Sequence, residues 1–287
     1  MLNDKFFDAV SGMIDHGDVV AGLHLLAGSL ISPEAGEAAR STLRQHRLHQ
    51  TLMLDPYLSH AFAKPRGYAG DAGLIDLIYD QTPPEGTCDL GHQLFEVTTA
   101  FPVSRAVRER MSYASTTLEQ KIRSGQSVLA LACGYLREAD GLVGEDLSRL
   151  VAVDQDPLSI ERIRRLHGDA VTTREANVLS YLRAAARDGE RFDFIYTLGL
   201  TDYFDDRAMS LLHHLMHRCL NPGGSILIAN FLPDHIAAGW MDAVMDWQLI
   251  YRSETELHGF AAEIEMESRT WRDSTQSIAW CEMKAAS

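Results

Sequence analysis

The chain has 287 residues, 46% of them hydrophobic and 23% charged, enough to bury one large core or two modest ones. A formal net charge of −14 argues against a protein that tracks nucleic-acid phosphates, and no nucleic-acid partner is expected, although arginines cluster at 105, 108 and 110. The four cysteines, at 88, 133, 219 and 281, include no pair at metal-ligand spacing, so no metal is expected and reduced thiols point to a cytoplasmic home.

In chain order, the first part reads as helices. Phe6, Val10, Met13 and Ile14 form one apolar stripe; Val19, Val20, Leu23, Leu26 and Leu30 form a second, ended near Ser32-Pro33. A third helix is expected over 34–54. Residues 64–71, Lys-Pro-Arg-Gly-Tyr-Ala-Gly-Asp, are a loop by composition, followed by a helix over 72–79 and a loop over 81–86. A further helix is expected over 103–123. The polar start carries no apolar signal core, and no run approaches the roughly eighteen apolar residues of a membrane span, so no membrane insertion is expected.

From residue 126 the pattern changes. Short apolar runs at 127–132, 150–154, 171–176, 192–198 and 224–231 alternate with helical stretches, one of them directly after the Gly134 turn. That alternation implies an α/β domain with a doubly wound, mostly parallel sheet. Asn221-Pro-Gly-Gly224 is a turn feeding the fifth strand. A helix over 235–251 precedes two strand-like segments, 260–270 and 276–284, joined at Asp273-Ser-Thr as an antiparallel edge hairpin. The domains expected are 1–124, an all-α cap or substrate lid, and 125–287, a cofactor-binding domain.

The ends of these strands carry the candidate chemistry, because ligands of open α/β sheets bind there. Gly134 ends the first strand and, with the small Ala132 and Cys133, lets a ligand approach the backbone. Asp154 ends the second strand, twenty positions later, where a carboxylate can accept hydrogen bonds from a ribose diol; Gln155 follows it. Asn177 stands after the third strand, either to meet an adenine amino group with Val178 against the ring or to cap the next helix. Thr197 lies at the end of the fourth strand, one position before Leu198. Asp202 and Tyr203 follow in the turn where a transferred group would emerge.

These segments resemble the Rossmann-like domain of class I S-adenosylmethionine-dependent methyltransferases. The matching pieces are Val128–Gly134, Val151–Asp154, Glu175–Asn177, Phe192–Tyr196 and Leu220–Gly224, together with the terminal hairpin. Where that family carries an acid and two further glycines, this chain has Ala130, Ala132 and Leu136. The loop at 64–71, the form Cys133-Gly-x-x-Arg-Glu138 and an expected late helix over 246–252 resemble a bacterial subgroup with a helical cap, which includes enzymes that make methyl esters of hydroxy fatty acids.

The resemblance implies a seven-stranded sheet with S-adenosylmethionine as cofactor, and methyl transfer to an oxygen, carboxylate or hydroxyl, of a small or medium organic acid. Alignment and exclusion of water supply most of the rate of such a displacement. Tyr68 is then placed to close over the cofactor, Arg137 or an N-terminal residue to hold its carboxylate, and Arg66, Arg105 and Arg108 to bind an acidic acceptor. Trp240 would line an apolar acceptor pocket, or be core. A hydroxyl acceptor needs a base, and His235 is the best-placed histidine. Two alternatives stay open: a nicotinamide-dependent oxidoreductase, and a non-catalytic cofactor-binding subunit. The partner expected is a small-molecule substrate, with a homodimer left open.

Overall fold

In the computed structural model, which describes residues 2–142 and 145–284, the runs after residue 127 are strands: β1 (Val128–Leu131), β2 (Leu150–Asp154), β3 (Thr172–Glu175), β4 (Phe192–Thr197) and β5 (Leu220–Phe231), then β6 (Glu267–Arg272) and β7 (Ile278–Lys284). They form one seven-stranded sheet in the order β3-β2-β1-β4-β5-β7-β6. The first five pair in parallel, and β7 pairs antiparallel with both β5 and β6, so the Rossmann-like sheet with an antiparallel edge hairpin is present. β1 and β2 are buried along their whole length, which is why they read as unbroken apolar runs rather than alternating ones.

Among the crossover helices are α9 (Pro157–His167), α10 (Val178–Asp188) and α11 (Asp206–Arg218), each begun by a side-chain cap from Asp156, Asn177 or Asp205. Leu129, Leu131, Val153, Ile195 and Ile228 share one buried cluster with Leu182 of α10 and Met209, Leu212 and Met216 of α11. Phe194 and Tyr196 of β4 and Leu227 of β5 instead line a small cavity with Ala114 and Thr117, which lie on α8 (Pro102–Arg123).

Three expectations need correction. No α-helix forms after the Gly134 turn among the described residues: there is only a three-residue helical turn, Arg137–Ala139, which follows a left-handed Leu136 and stops before Gly141. Residues 260–266 are not strand. Residues 260–263 end α13 (Glu254–Glu263), which Ser253 and Glu256 start with a reciprocal capping box, and 264–266 form the turn after it. The Asn221–Gly224 stretch lies inside β5 as an irregularity in its pairing with β4. The hairpin turn does fall at Asp273, whose carboxylate accepts the Ser277 and Ile278 amide protons at 2.7 Å.

By its internal contacts the chain divides into Met1–Arg108 with Pro233–Gln248, and Glu109–Leu232 with Leu249–Ser287. The division departs from the expected boundary at 124/125: it falls inside α8, and residues 233–248 join the N-terminal unit. That unit is all helix: α1 (Asp4–Asp15), α2 (Val19–Ser29), α3 (Pro33–Gln45), α4 (Arg47–Leu52), α5 (Pro56–Ala63), α6 (Ala72–Asp80), α7 (Asp89–Thr99), the start of α8, and α12 (Ala238–Met245). The single helix expected over 34–54 is two, because the chain leaves helical geometry at His46. The helix expected over 235–251 is only α12, ended by Asp246 in the left-handed conformation. Among the described residues no helix is long and apolar enough to cross a membrane.

α12 lies against α3 through glycine. A Cβ at Gly36 would stand 2.6 Å from the Gly239 Cα, and one at Gly239 would meet the carbonyl oxygens of Ser32 and Leu30. Ion pairs frame the contact: Arg40 with Asp242 at 2.5 Å, and Arg44 and Lys64 with Asp246 at 2.8 and 2.5 Å. Partly exposed pairs of this kind contribute little each, so backbone approach sets the fit. Gly239→Ala is expected to cost about 3 kcal/mol, as overpacking against backbone does. Gly28→Ala on α2, which meets nothing within 4 Å, is expected to stabilise by about 0.5 kcal/mol through helix propensity. Urea unfolding of the two variants checks both, and a Gly239→Ala protein as stable as the parent would contradict the packing.

Candidate functional site

The Gly134 turn and Asp154 meet directly. The Gly134 amide donates to Asp154 Oδ2 at 2.8 Å, and the Asp156 amide to Asp154 Oδ1 at 2.9 Å. The helix-capping role falls to Asp156, which accepts the Leu158 amide. Asp154 is 5% exposed, and burial pushes its carboxyl above the usual range against those two hydrogen bonds. With one amide on each oxygen, it keeps lone pairs for further donors.

The turn itself keeps a glycine-like backbone without the glycines. Ala132, Gly134 and Leu136 all have positive φ, at 49°, 53° and 53°. For a non-glycine residue that conformation costs roughly 1–2 kcal/mol. Leu136 is fully buried, which offsets its share. Cys133 is half-buried, and burial together with the Asp154 charge pushes its thiol well up, so it stays protonated.

The other expected residues of this unit are more dispersed in role. Asn177 caps α10: its Oδ1 accepts the Leu179 and Ser180 amides, so that oxygen is already engaged. Val178 is buried beside it, and Gln155 is exposed next to Asp154. Thr197, at the end of β4, is fully buried, and among the described residues its hydroxyl has no hydrogen-bond partner. Arg137 pairs with Asp140 at 2.8 Å. Asp202 is 2% exposed and accepts the Phe231 amide at 2.7 Å, while its own carbonyl accepts from the Ile250 amide at 2.7 Å. It therefore ties the turn after β4 to the end of β5, whereas Tyr203 beside it is exposed.

Six expected residues belong to the helical unit. Arg66 and Tyr68 are half-buried in the loop that precedes Asp71. Asp71 caps α6 through the Leu74 amide and takes the His60 ring nitrogen at 2.8 Å. Arg108 donates from Nη1 to the carbonyls of Thr99 at 2.8 Å and Ile78 at 3.3 Å, a structural use of its guanidinium; Arg105 is exposed. His235 is buried, with the Ala237 amide 3.4 Å from Nδ1. Trp240 is core, packed edge-on against Phe101.

Sequence reasoning passed over Glu138, Tyr196 and Arg110 as site residues. The Tyr196 hydroxyl donates to Glu138 at 2.6 Å, and burial raises the Glu138 carboxyl. Arg110 donates from Nη1 to the Leu198 carbonyl at 2.6 Å, just past β4. One signal was available: Arg110 continues the buried stripe Val103, Val107, Ala114 and Leu118 of α8, an unusual place for an arginine. Among the described residues no group of three or more His, Cys, Asp or Glu could hold a metal ion.

No family profile matches the chain, and no curated protein does. Among solved structures it is similar to a possible exported protein of Bordetella parapertussis, at 19% identity and a TM-score of 0.61, covering 90% of this chain and 100% of that one. At that identity the likeness is one of fold. It also aligns with the magnesium protoporphyrin IX methyltransferase of Synechocystis PCC 6803 with bound SAH, at 10% identity and a TM-score of 0.48, covering 64% of this chain and 87% of that one. A third alignment is with the N-methyltransferase NodS of Bradyrhizobium japonicum WM9 in complex with S-adenosyl-l-homocysteine, at 18% identity and a TM-score of 0.45, covering 63% and 88%.

Burial raises the Asp202 carboxyl from 3.8 to about 6 in the folded protein. The native state then holds this proton more tightly than the unfolded chain does. Its contribution to stability is full below pH 4 and lost as pH rises to about 6, a change of about 3 kcal/mol. Asp202→Asn, which keeps an oxygen for the Phe231 amide, is expected to lack that slope. Its stability relative to the parent should climb between pH 4 and pH 6 and then level off. Urea unfolding across that range checks it, and parallel pH curves for the two proteins would refute it.

Proposed function

We propose that the protein is an S-adenosylmethionine-dependent methyltransferase that acts on an oxygen, carboxylate or hydroxyl, of a small or medium organic acid, a class that includes hydroxy fatty acids. The observation that carries this reading is the buried Asp154 carboxylate at the tip of β2, hydrogen-bonded to the Gly134 amide of the turn after β1. It stands on a seven-stranded sheet whose last pair is antiparallel, as the sequence resemblance implies.

The residues present fit such a cofactor. Asp154 retains acceptor capacity for a ribose diol. Ala132, Cys133 and Gly134 offer backbone with little side chain in the way, and Val178 an apolar surface for the base. The Thr197 hydroxyl, buried without a partner, would be satisfied by a polar ligand atom. When bound, the cofactor supplies the methyl group from its sulfonium. Arg66 is assigned to the acceptor carboxylate and Tyr68 to the exclusion of water. A hydroxyl acceptor needs a base, for which His235 is the candidate, whereas a carboxylate needs only positioning.

The nicotinamide alternative is weaker. A pyrophosphate is held at the N-terminus of a helix that follows the first strand, and among the described residues only the Arg137–Ala139 turn stands between β1 and β2. Calorimetric titration with S-adenosylhomocysteine and with NAD separates the two. Micromolar binding of the homocysteine is expected, weakened by about tenfold in Asp154→Asn. Micromolar binding of NAD with none of the homocysteine would sink the proposal. Methyl-ester or ether formation from a panel of acids is the second measurement, and binding without turnover would favour a non-catalytic subunit.

A further inference from the structure

We infer that Arg110 binds the carboxylate at the amino-acid end of the cofactor, an assignment that rests on the methyltransferase reading above. Arg110 is 6% exposed, yet among the described residues its guanidinium makes a single hydrogen bond, from Nη1 to the Leu198 carbonyl, and its Nε is buried with no partner. A guanidinium carries five N–H donors. Burying the charge with most of them unspent is costly unless an anion completes the set.

Among the described residues no carboxylate hydrogen-bonds to Arg110. Glu138 and Asp202 feel the Arg110 charge, but Glu138 is held by the Tyr196 hydroxyl and Asp202 by the Phe231 amide. Neither pairs with Arg110, which makes no ion pair among the described residues. Arg137, the other arginine near the turn, is already neutralised by Asp140.

The position suits the assignment. In the order β3-β2-β1-β4, β1 has β2 on one side and β4 on the other, and this is the crevice where ligands of such sheets lie. Asp154 ends β2. Arg110 reaches Leu198 just past the end of β4, and its guanidinium atoms lie 3.6–3.9 Å from where a Gly199 side chain would begin. A ligand whose ribose is held by Asp154 and whose sulfur lies over β1 would send its amino-acid end toward β4. There a guanidinium fork can take a carboxylate by two parallel hydrogen bonds.

The test compares S-adenosylhomocysteine with 5′-methylthioadenosine, which lacks the amino-acid end. Both are titrated calorimetrically into the parent protein, Arg110→Met and Arg110→Lys, with melting curves to confirm folding. In Arg110→Met the homocysteine should bind more weakly by a factor on the order of thirty, while methylthioadenosine binds as before. Arg110→Lys should recover part of the loss. It also serves if Arg110→Met does not fold, because the ratio of the two affinities within one variant is the readout. An equal fall for both ligands, or an unchanged affinity for the homocysteine, overturns the assignment. A parent protein that binds neither ligand overturns the methyltransferase reading and this inference with it.

Discussion

One carboxylate holds the strand ends together. Asp154 takes the amide of Gly134 on one oxygen and that of Asp156 on the other, so the turn after β1 and the turn after β2 share one anchor. The turn needs such an anchor. Two of its three left-handed residues have side chains, and the strain they store must be met by contacts elsewhere. The Asp154 bond, the Cys133 amide on the Val153 carbonyl and the burial of Leu136 are what meet it. The strand ends that carry Asp154, Asn177 and Thr197 are placed relative to that turn by strand pairing, from β3 at one edge to β4 on the far side of β1.

Buried polar groups then divide into two kinds. Asp55 in the helical unit, pushed up to about 7 by burial, is matched by the Thr98 hydroxyl and the Tyr57 amide, and it caps α5. Arg252 is spent on the carbonyls of Thr201 and Phe204 and on Asp206. These are closed networks that fix a fold. The Thr197 hydroxyl and the Arg110 Nε are open ones, and they lie at the end of β4 and beside the residues that follow it. An unsatisfied buried group is expensive wherever it lies.

The strands were legible because a fully buried parallel strand leaves an unbroken apolar run, and Gly134 with Asp154 was legible because spacing alone brings them to neighbouring strand tips. Other features were not. Phe260, Ala261, Ile264 and Met266 face the core and mimic a strand, while the capping signal that begins seven residues earlier, Ser253 with Glu256, decides for a helix. The turn conformation could not be read from Ala132 and Leu136, since residue identity there argues against the φ that the fold imposes. The Arg110–Leu198 bond spans 88 positions, a distance at which no local pattern speaks, although the arginine inside an apolar stripe was visible. The role of 233–248 was hidden for the same reason: α12 reads as an apolar helix, but nothing local says that Gly239 meets Gly36 some two hundred positions earlier.

That last feature bears on how the protein is made. The helical unit is discontinuous, assembled from the first 108 residues and a segment that ends at Gln248. A chain emerging from the ribosome has most of this unit early, but the face of α3 that receives Gly239 waits for the residues between 108 and 239 to be made. The helical unit is complete only once the α12 segment has been made. The central strands β1 to β5 are translated while the helical unit is still incomplete, so maturation of the two units is interleaved in time.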